Sequence, residues 1–179
     1  MRCGGRWPGN GMAGQLARAA PIAEPARMIP PALSHVFTAR VAVGAPLVLG
    51  PVGTGLRRIV PILGGTVAGP RLSGTVLEGG ADWQIIRPDG VAEILARYTI
   101  RATDGALISV VNAGLRRGPP AVLAQLAAGA EVDPAAYYFR TNPVFEAPPG
   151  PHAWFMENTF IATGARHAAE VHIAVFMVA

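Results

Sequence analysis

Apolar and polar positions alternate along residues 58–114, and glycines divide the alternation into short runs. Residues 91–102 show the alternation most clearly, because every second side chain there is apolar or aromatic. Successive side chains of a strand point to opposite faces, so this spacing predicts a strand with one buried face. The predicted buried positions are Ile94, Ala96, Tyr98 and Ile100, and the predicted outer positions are Glu93, Leu95, Arg97, Thr99 and Arg101.

Two Asp-Gly turns frame this strand. Asp89-Gly90 precedes it and Asp104-Gly105 follows it, and both dipeptides accept the positive φ angles of a tight hairpin at low cost. Strands are therefore predicted on either side, and turns this close together impose antiparallel pairing between neighbours. The flanking strands are predicted at residues 82–87 and 106–113. Further glycines predict bulges or barrel corners at Gly64, Gly65, Gly69 and Gly74.

The rest of the chain supplies further short strands and one helix. The helix is predicted at residues 119–128, because Pro119 starts it, Gly129 ends it and its apolar residues share one face that would cover a barrel end. Strands are predicted at 35–44, 57–63, 136–147, 153–163 and 169–178, with a Gly/Pro-rich loop at 47–55. About nine strands predict an all-β fold, a single antiparallel β-barrel of lipocalin-like size that holds side chains and one small ligand.

Charge is distributed unevenly along the 179 residues. All 15 basic residues are arginines, and the net charge is +4. Residues 1–33 carry four arginines and one glutamate, a net charge of +3, which leaves +1 for residues 34–179. A nucleic-acid-binding domain needs a basic stripe on its own surface. The nearly neutral domain therefore argues against nucleic acid as a partner.

Residues 1–33 are predicted to be a disordered or mis-assigned tail that precedes a β-barrel domain at 34–179, because they lack a periodic apolar pattern. An Arg-rich targeting segment and an ordered extension are the alternatives. The lone cysteine, Cys3, excludes an intrachain disulfide and agrees with a reducing compartment. No apolar run approaches the ~20 residues of a membrane helix. A cytoplasmic protein without a membrane partner is therefore predicted.

Familiar motifs for catalysis, metals and cofactors do not occur in the sequence. The four histidines lack the spacing of zinc ligands, so no metal is predicted. The Gly-rich residues 64–69 continue into Pro70-Arg71 rather than into a lysine and a helix, which indicates barrel corners and not a phosphate loop. No cofactor is predicted. No serine lies in a Gly-x-Ser-x-Gly motif.

The candidate site consists of polar and aromatic residues within otherwise apolar strands, and they are expected to converge at one end of the barrel. Asp82 is the candidate acid/base, because burial against the neighbouring Trp83 would raise its pKa. Tyr98, on the apolar face of its strand, is assigned to catalysis with it. Arg140 would hold a carbonyl or anionic oxygen in its guanidinium fork. The predicted ligand-binding residues are Trp83, Asn112, Arg140 and Trp154.

A structural role explains the same residues. Asp82 would cap a turn, Tyr98 would be a core residue with one hydrogen bond, and Arg140 would pair with an acid such as Glu146. A further alternative concerns the faces of residues 91–102. If the polar face lines the lumen, Arg97 takes the place of Tyr98 in the site.

Several short motifs carry a resemblance to a known family. The most specific is Gly79-Gly80-Ala81-Asp82-Trp83-Gln84, and others are Arg57-Arg58-Ile59-Val60-Pro61, Arg71-Leu72-Ser73-Gly74, Ala96-Arg97-Tyr98-Thr99 and Tyr138-Phe139-Arg140-Thr141. With them, residues 34–178 resemble the bacterial and fungal family filed as domain of unknown function 3237. The chain departs from it after Trp154, where Phe155-Met156-Glu157 stands in place of Leu-Asn-Arg. The resemblance implies a closed or nearly closed β-barrel and no settled activity.

Two functions are compatible with the sequence. In the first, the barrel binds a small, partly apolar organic molecule, with acid/base chemistry of the hydratase, isomerase or cyclase type. In the second, the barrel is a non-catalytic structural protein whose edge strands assemble a homodimer. A cavity of roughly 300 Å³ or more with converging polar groups favours the first function, and a lumen filled by side chains favours the second.

Overall fold

The computed structural model of the protein describes residues 29–179, of which Pro31–Ala179 form one compact unit. Most of the predicted tail, residues 1–28, lies outside the described residues. The end of that tail is part of the barrel sheet, because Leu33 pairs with Val178 and Ala32 exchanges backbone hydrogen bonds of 2.8 and 2.9 Å with Ala179. The first strand therefore begins before the predicted boundary at residue 34.

Ten strands and one α-helix follow one another along the described residues. The strands are β1 (Leu33–Val43), β2 (Leu47–Val52), β3 (Gly55–Ala68), β4 (Gly74–Val76), β5 (Gly80–Ile86), β6 (Ala92–Ala102), β7 (Leu107–Arg117), β8 (Tyr138–Glu146), β9 (Thr159–Arg166) and β10 (Glu170–Val178). The helix α1 (Pro120–Ala127) follows β7, and short 3-10 helices lie at Pro134–Ala136 and Ala153–Met156.

Antiparallel pairing closes these strands into a barrel. The order runs β1, β10, β9, β8, β7 and β6, then β4 and β5 share the next position, and β3 pairs with β1 to close the circle. The 14 residues of β3 are enough to pair with β5 along the first half and with β4 along the second. Strand β2 lies outside the circle, beside the start of β3. The closed eight-strand barrel with two extra strands confirms the predicted all-β class.

Glycines form the bend in β3 where its pairing with β1 changes. The register shifts between Ala42 and Val43, close to Gly64, which has a φ of +125°. A β-carbon on Gly65 would overlap the carbonyl oxygen of Arg40, so no side chain fits there. Gly64 and Gly65 therefore form the kind of corner that their spacing predicts.

Aromatic side chains fill one end of the barrel. Phe145 lies 4.5 Å from Phe155 and 5.0 Å from Phe160 between ring centroids, and Phe37 packs edge-on against Phe145 at 6.1 Å. These four side chains are at most 3% exposed. Burial of each phenylalanine stabilises the fold by about 1.5–3 kcal/mol. We call this part of the lumen, which these aromatic side chains line, the aromatic end.

Three predicted elements are corrected by the pairing of the strands. The predicted loop at 47–55 contains the strand β2, because its backbone pairs with β3. Strand β7 continues to Arg117 instead of ending at 113, since it pairs with β8 along that extension. Residues 153–163 begin with the 3-10 helix Ala153–Met156, and the strand starts only at Thr159.

The single α-helix lies where its sequence predicts it. Leu126 is buried, and Val122 and Leu123 pack against the barrel core. The apolar face of α1 therefore covers part of the barrel, as the spacing of these three residues indicates. Within residues 29–179, no helix is long and apolar enough to cross a membrane.

Candidate functional site

A cavity of about 380 Å³ occupies the end of the lumen opposite the aromatic end. Every strand of the barrel circle except β4 contributes side chains to its wall, and we call it the lumen cavity. Exposed residues of three connections form its mouth, namely Ala45-Pro46, Ala128-Gly129 and Ala168-Ala169. Its volume lies in the range of about 300–1,000 Å³ that is typical of small-molecule sites.

Six polar side chains converge on the lumen cavity, and we call them the polar cluster. Inward and outward side chains alternate along each strand, and these six residues occupy inward positions, so their side chains point into the lumen. The members are Arg58 on β3, Asp82 and Gln84 on β5, Asn112 and Arg116 on β7, and Arg166 at the end of β9.

A chain of hydrogen bonds joins three members of the polar cluster. Arg58 Nε donates to Gln84 Oε1 at 2.8 Å, and Gln84 Nε2 donates to Asp82 Oδ2 at 2.5 Å. The backbone N–H of Leu95 donates to Asp82 Oδ1 at 3.0 Å. A guanidinium group can only donate, so Arg58 fixes the orientation of the Gln84 amide. Both oxygens of Asp82 therefore act as acceptors, and each retains a second lone pair.

Opposing influences act on the pKa of Asp82. Burial has the largest effect and raises the pKa above the ordinary value of an aspartate, whereas the hydrogen bonds from Gln84 and Leu95 and the charges of Arg116 and Arg58 lower it. The net result is a raised pKa. A carboxyl group with a raised pKa exchanges its proton nearer to neutral pH, which suits a general acid/base.

Three arginines line the lumen cavity together with this one carboxyl group. Burial, followed by the charges of Arg58 and Arg166, lowers the pKa of Arg116 to about 10. Burial also lowers the pKa of Arg58 and of Arg166. Arg166 Nη1 donates to the carbonyl oxygen of Glu170 at 3.0 Å, whereas the buried Nε of Arg116 has no partner among the described residues. Positive charge is therefore in excess around the lumen cavity.

Tyr98 and Asn112 line the deeper part of the lumen cavity, towards the aromatic end. Tyr98 follows two residues after Ala96, the residue that pairs with Asp82. Burial raises the pKa of Tyr98 above its ordinary value, so the phenol keeps its proton and can donate a hydrogen bond. Asn112 is 3% exposed, and its Oδ1 has no partner among residues 29–179. A buried amide oxygen without a partner is uncommon, and this one can still accept a hydrogen bond.

The structure brings three of the six predicted site residues together. Asp82, Tyr98 and Asn112 all line the lumen cavity. Tyr98 lies on the inward face of β6 and Arg97 is exposed on the outer face, so the alternative in which Arg97 replaces Tyr98 does not hold. The alternation of residues 91–102 therefore identifies the lumen face correctly.

The other three predicted residues lie away from the lumen cavity. Arg140 is exposed on the outer face of β8, where its guanidinium lies 5.4 Å from the ring of Tyr138, because the inward face of β8 belongs to its odd-numbered residues. Trp83 points outward, since its neighbours Asp82 and Gln84 point inward. Trp154 stacks on Phe155 at the aromatic end, with a centroid distance of 4.0 Å. The predicted placement of these three residues in the site is corrected accordingly.

Four members of the polar cluster do not appear among the predicted site residues. Strand alternation alone places Gln84 and Arg116 on the inward face. Gln84 lies two residues after Asp82, and Arg116 lies four residues after Asn112. The predicted end of β7 at residue 113 hid Arg116. Arg58 directly follows another arginine, Arg57, and Arg166 is the last residue of β9, so the sequence pattern does not distinguish the inward from the outward face at these positions. Among residues 29–179, no three His, Cys, Asp or Glu side chains are grouped closely enough to hold a metal ion.

The fold and the lumen cavity define a closed antiparallel β-barrel with a polar, ligand-sized interior. The chain belongs to the family described as "Protein of unknown function (DUF3237)", whose sequence profile matches residues 31–178. This finding confirms the family that its motifs indicate.

Relatives extend this assignment. A UPF0311 protein of Rhodopseudomonas palustris is 47% identical over 144 residues, which are 80% of this chain and 94% of that protein. The crystal structure of a conserved protein of unknown function from the same species has a TM-score of 0.82 and 43% identity, covering 85% of this chain and 100% of the other. A hydroalkoxylation enzyme of Penicillium herquei is 32% identical over 97 residues, which are 54% of this chain and 64% of that enzyme.

Proposed function

We propose that the protein binds a small, partly apolar organic molecule in the lumen cavity and catalyses an acid/base reaction on it, with Asp82 as the proton carrier. The observation that carries the proposal is the position of Asp82, a carboxyl group with a raised pKa on the wall of a cavity of about 380 Å³. The rest of that wall is largely apolar, with Val41, Ile94 and Ile173 among its residues. Such a cavity favours a ligand with an apolar body and a few polar groups.

The reaction that we propose is the intramolecular addition of a hydroxyl group across a conjugated double bond. The double bond is conjugated with a carbonyl group of the ligand. Asp82 accepts the hydroxyl proton, the hydroxyl oxygen forms a bond to one alkene carbon, and the electron pair of the double bond moves towards the carbonyl oxygen. The proton then returns to the other alkene carbon, so the reaction is an isomerisation without a redox partner. Hydroalkoxylation by the Penicillium herquei relative supports this reaction class.

Other groups in the lumen cavity suit the charge that develops in such a reaction. The carbonyl oxygen gains negative charge as the carbon–oxygen bond forms, and hydrogen-bond donors held at that oxygen stabilise the transition state. The protonated Tyr98 and the guanidinium of Arg116 are donors of this kind on the cavity wall. Gln84 and the N–H of Leu95 position Asp82 by fixing both of its oxygens.

Cyclisation of 2′-hydroxychalcone to flavanone tests the proposal, because this two-ring compound carries the hydroxyl group and the conjugated double bond. The protein is expected to accelerate the loss of chalcone absorbance and to yield an excess of one flavanone enantiomer, whereas the spontaneous reaction gives a racemate. Asp82→Asn should reduce the rate by about a hundredfold or more, since acid/base groups contribute about 10²–10⁴-fold. The Asp82→Asn variant should still bind the chalcone.

The matched control is Glu93→Gln, which neutralises a carboxyl group on the outer face of β6. It should retain the wild-type rate and the enantiomeric excess. A racemic product formed at the buffer rate, together with no binding of the chalcone, would overturn the proposal. Equal rates for Asp82→Asn and the wild type would remove Asp82 from the reaction.

A second candidate function is assembly through β2. Among the described strands β2 pairs with β3 alone, and its side chains Leu47, Val48 and Leu49 are 60–62% exposed. Exposed apolar edge strands tend to pair with another strand, so two copies would join β2 to β2 in a homodimer. Sedimentation velocity tests this candidate. Leu49→Lys should convert the dimer to a monomer. The control Leu107→Lys, at another exposed position, should remain a dimer. A wild-type protein that is monomeric would refute assembly through β2.

A further inference from the structure

The balance of charge in the lumen cavity specifies the ligand further. Three guanidinium groups, from Arg58, Arg116 and Arg166, line the cavity with a single carboxyl group, from Asp82. With Asp82 ionised the net charge of these four groups is +2, and with Asp82 protonated it is +3. Buried charges are normally paired, because the removal of an ion from water is unfavourable unless an opposite charge compensates it. The residues of the cavity therefore leave positive charge uncompensated.

The three arginines differ in how far the protein already uses them. Arg58 Nε is bound to Gln84, and Arg166 Nη1 is bound to the carbonyl oxygen of Glu170. Arg116 lies on β7 opposite Phe139, with its guanidinium 5.9 Å from that ring. Its Nε has no hydrogen-bond partner among the described residues. Arg116 is therefore the arginine with the most donor capacity left for a ligand.

On the inward face of β7, no side chain separates Arg116 from Asn112, because β8 packs directly against the glycine between them. Gly114 occupies the inward position between Asn112 and Arg116, and a β-carbon there would overlap Thr141 and the carbonyl oxygen of Arg140. The strand thus presents an amide and a guanidinium with no side chain between them. The facing wall, from β1 and β10, consists of aliphatic residues such as Val41 and Ile173. A ligand that fits both walls has a charged, oxygen-bearing end and an apolar body.

We propose that the ligand is an organic anion, an oxyanion such as a carboxylate or a phenolate attached to an apolar ring system, whose oxygens bind Arg116. This proposal rests on the proposed function, because it names the ligand class of the same cavity. A guanidinium donates two parallel hydrogen bonds to a carboxylate or binds the single oxygen of a phenolate, and such charge-assisted bonds are shorter and stronger than neutral ones. The bound anion would also reduce the repulsion among the three arginines.

A pair of probes of nearly equal shape tests the charge of the ligand. 2-Naphthoate and 2-naphthamide share the same ring, and only the first is an anion at neutral pH. We expect the wild-type protein to bind 2-naphthoate at least tenfold more tightly than 2-naphthamide in titration calorimetry. Arg116→Gln should lower the affinity for 2-naphthoate about tenfold or more and that for 2-naphthamide much less, since glutamine still donates to a carbonyl oxygen but carries no charge.

The control variant is Arg140→Gln, which removes an arginine from the outer face of the neighbouring strand. It should bind both probes like the wild type, which separates the effect of Arg116 from that of net charge. If both probes bind the wild type equally, the cavity binds organic molecules and the preference for an anion is refuted, while the proposed function stands. If neither probe binds, the anion proposal is refuted, and the chalcone assay decides the proposed function independently. Equal loss of affinity for both probes in Arg116→Gln would show a packing role and refute the anion contact.

Discussion

Replacement of Gln84 by leucine perturbs the hydrogen-bond chain that positions Asp82. Gln84 is 5% exposed, and its amide accepts from Arg58 Nε at 2.8 Å and donates to Asp82 Oδ2 at 2.5 Å. Leucine has a similar size and no polar atoms, so Gln84→Leu removes both bonds and preserves most of the packing. The half-buried Arg58 and Asp82 each lose one partner in this variant.

The magnitude follows from the two lost hydrogen bonds. A hydrogen bond to a charged group contributes about 1.5–3 kcal/mol, and water in the adjacent cavity can replace part of it, so we expect a loss of about 2–3 kcal/mol in the free energy of unfolding. For a domain of this size, that corresponds to a fall of about 4–12 °C in the unfolding temperature. Urea unfolding at pH 7 measures the free energy directly.

The pH dependence of this loss tests its cause. The hydrogen bond from Gln84 lowers the pKa of Asp82, against the larger effect of burial, which raises it. Without Gln84, the pKa of Asp82 rises further, and ionised Asp82 destabilises the fold more. The bond from Gln84 stabilises the ionised carboxylate, so its contribution to stability is present above the pKa of Asp82 and is lost as the pH falls below it. The difference between the variant and the wild type should therefore shrink as the pH falls through the pKa of Asp82.

The control is Gln125→Leu, the same exchange at an exposed position of α1. It should change the free energy of unfolding by no more than about 0.5 kcal/mol. The reasoning is refuted if Gln84→Leu costs no more than this control, or if its cost is the same at pH 4 and pH 8.

Three further predictions concern other parts of the chain. Gly164→Ala places a β-carbon 2.5 Å from Phe139 Cδ1, so it should destabilise the protein by about 1–3 kcal/mol in urea unfolding; no loss would show that the ring has room to move. Phe155→Ala should lower the free energy of unfolding by about 3–5 kcal/mol. It should leave the affinity for 2-naphthoate unchanged, because the aromatic end is separate from the lumen cavity, and weaker binding would contradict that separation. Deletion of residues 1–28 should leave the unfolding temperature unchanged in a calorimetric scan, since those residues lack a core-forming pattern, and a clear fall would show that they contribute to the folded domain.

The barrel could be predicted from the sequence because its signals are local. Asp-Gly turns and period-two alternation determine the hairpins around β6, and Gly64 and Gly65 indicate a corner. One exception is β2, whose Gly50 and Pro51 are typical of a loop. This segment becomes a strand only because β3 supplies a partner for its backbone, and that partner is not visible within the segment itself.

The candidate site could be predicted only in part, because convergence around a lumen is a property of the closed sheet. Asp82 and Asn112 stand out as polar residues within apolar strands, and both lie in the cavity. Arg140 has the same pattern of neighbours, but it lies on the outer face of β8, since the phase of that strand is set by Phe139 and Thr141 pointing inward. Alternation along a strand predicts two faces, but it does not identify the buried face when both carry aromatic side chains.

A crystal structure of the protein with 2′-methoxychalcone tests the central claim most directly. This compound keeps the shape of the proposed substrate, but it has no hydroxyl proton and cannot cyclise. The account predicts electron density for the compound inside the lumen cavity, with its carbonyl oxygen at about 3 Å from a donor of Arg116 or Tyr98 and its methoxy group facing Asp82. A compound bound only on the outer surface, with the lumen cavity empty at saturating concentration, would contradict it.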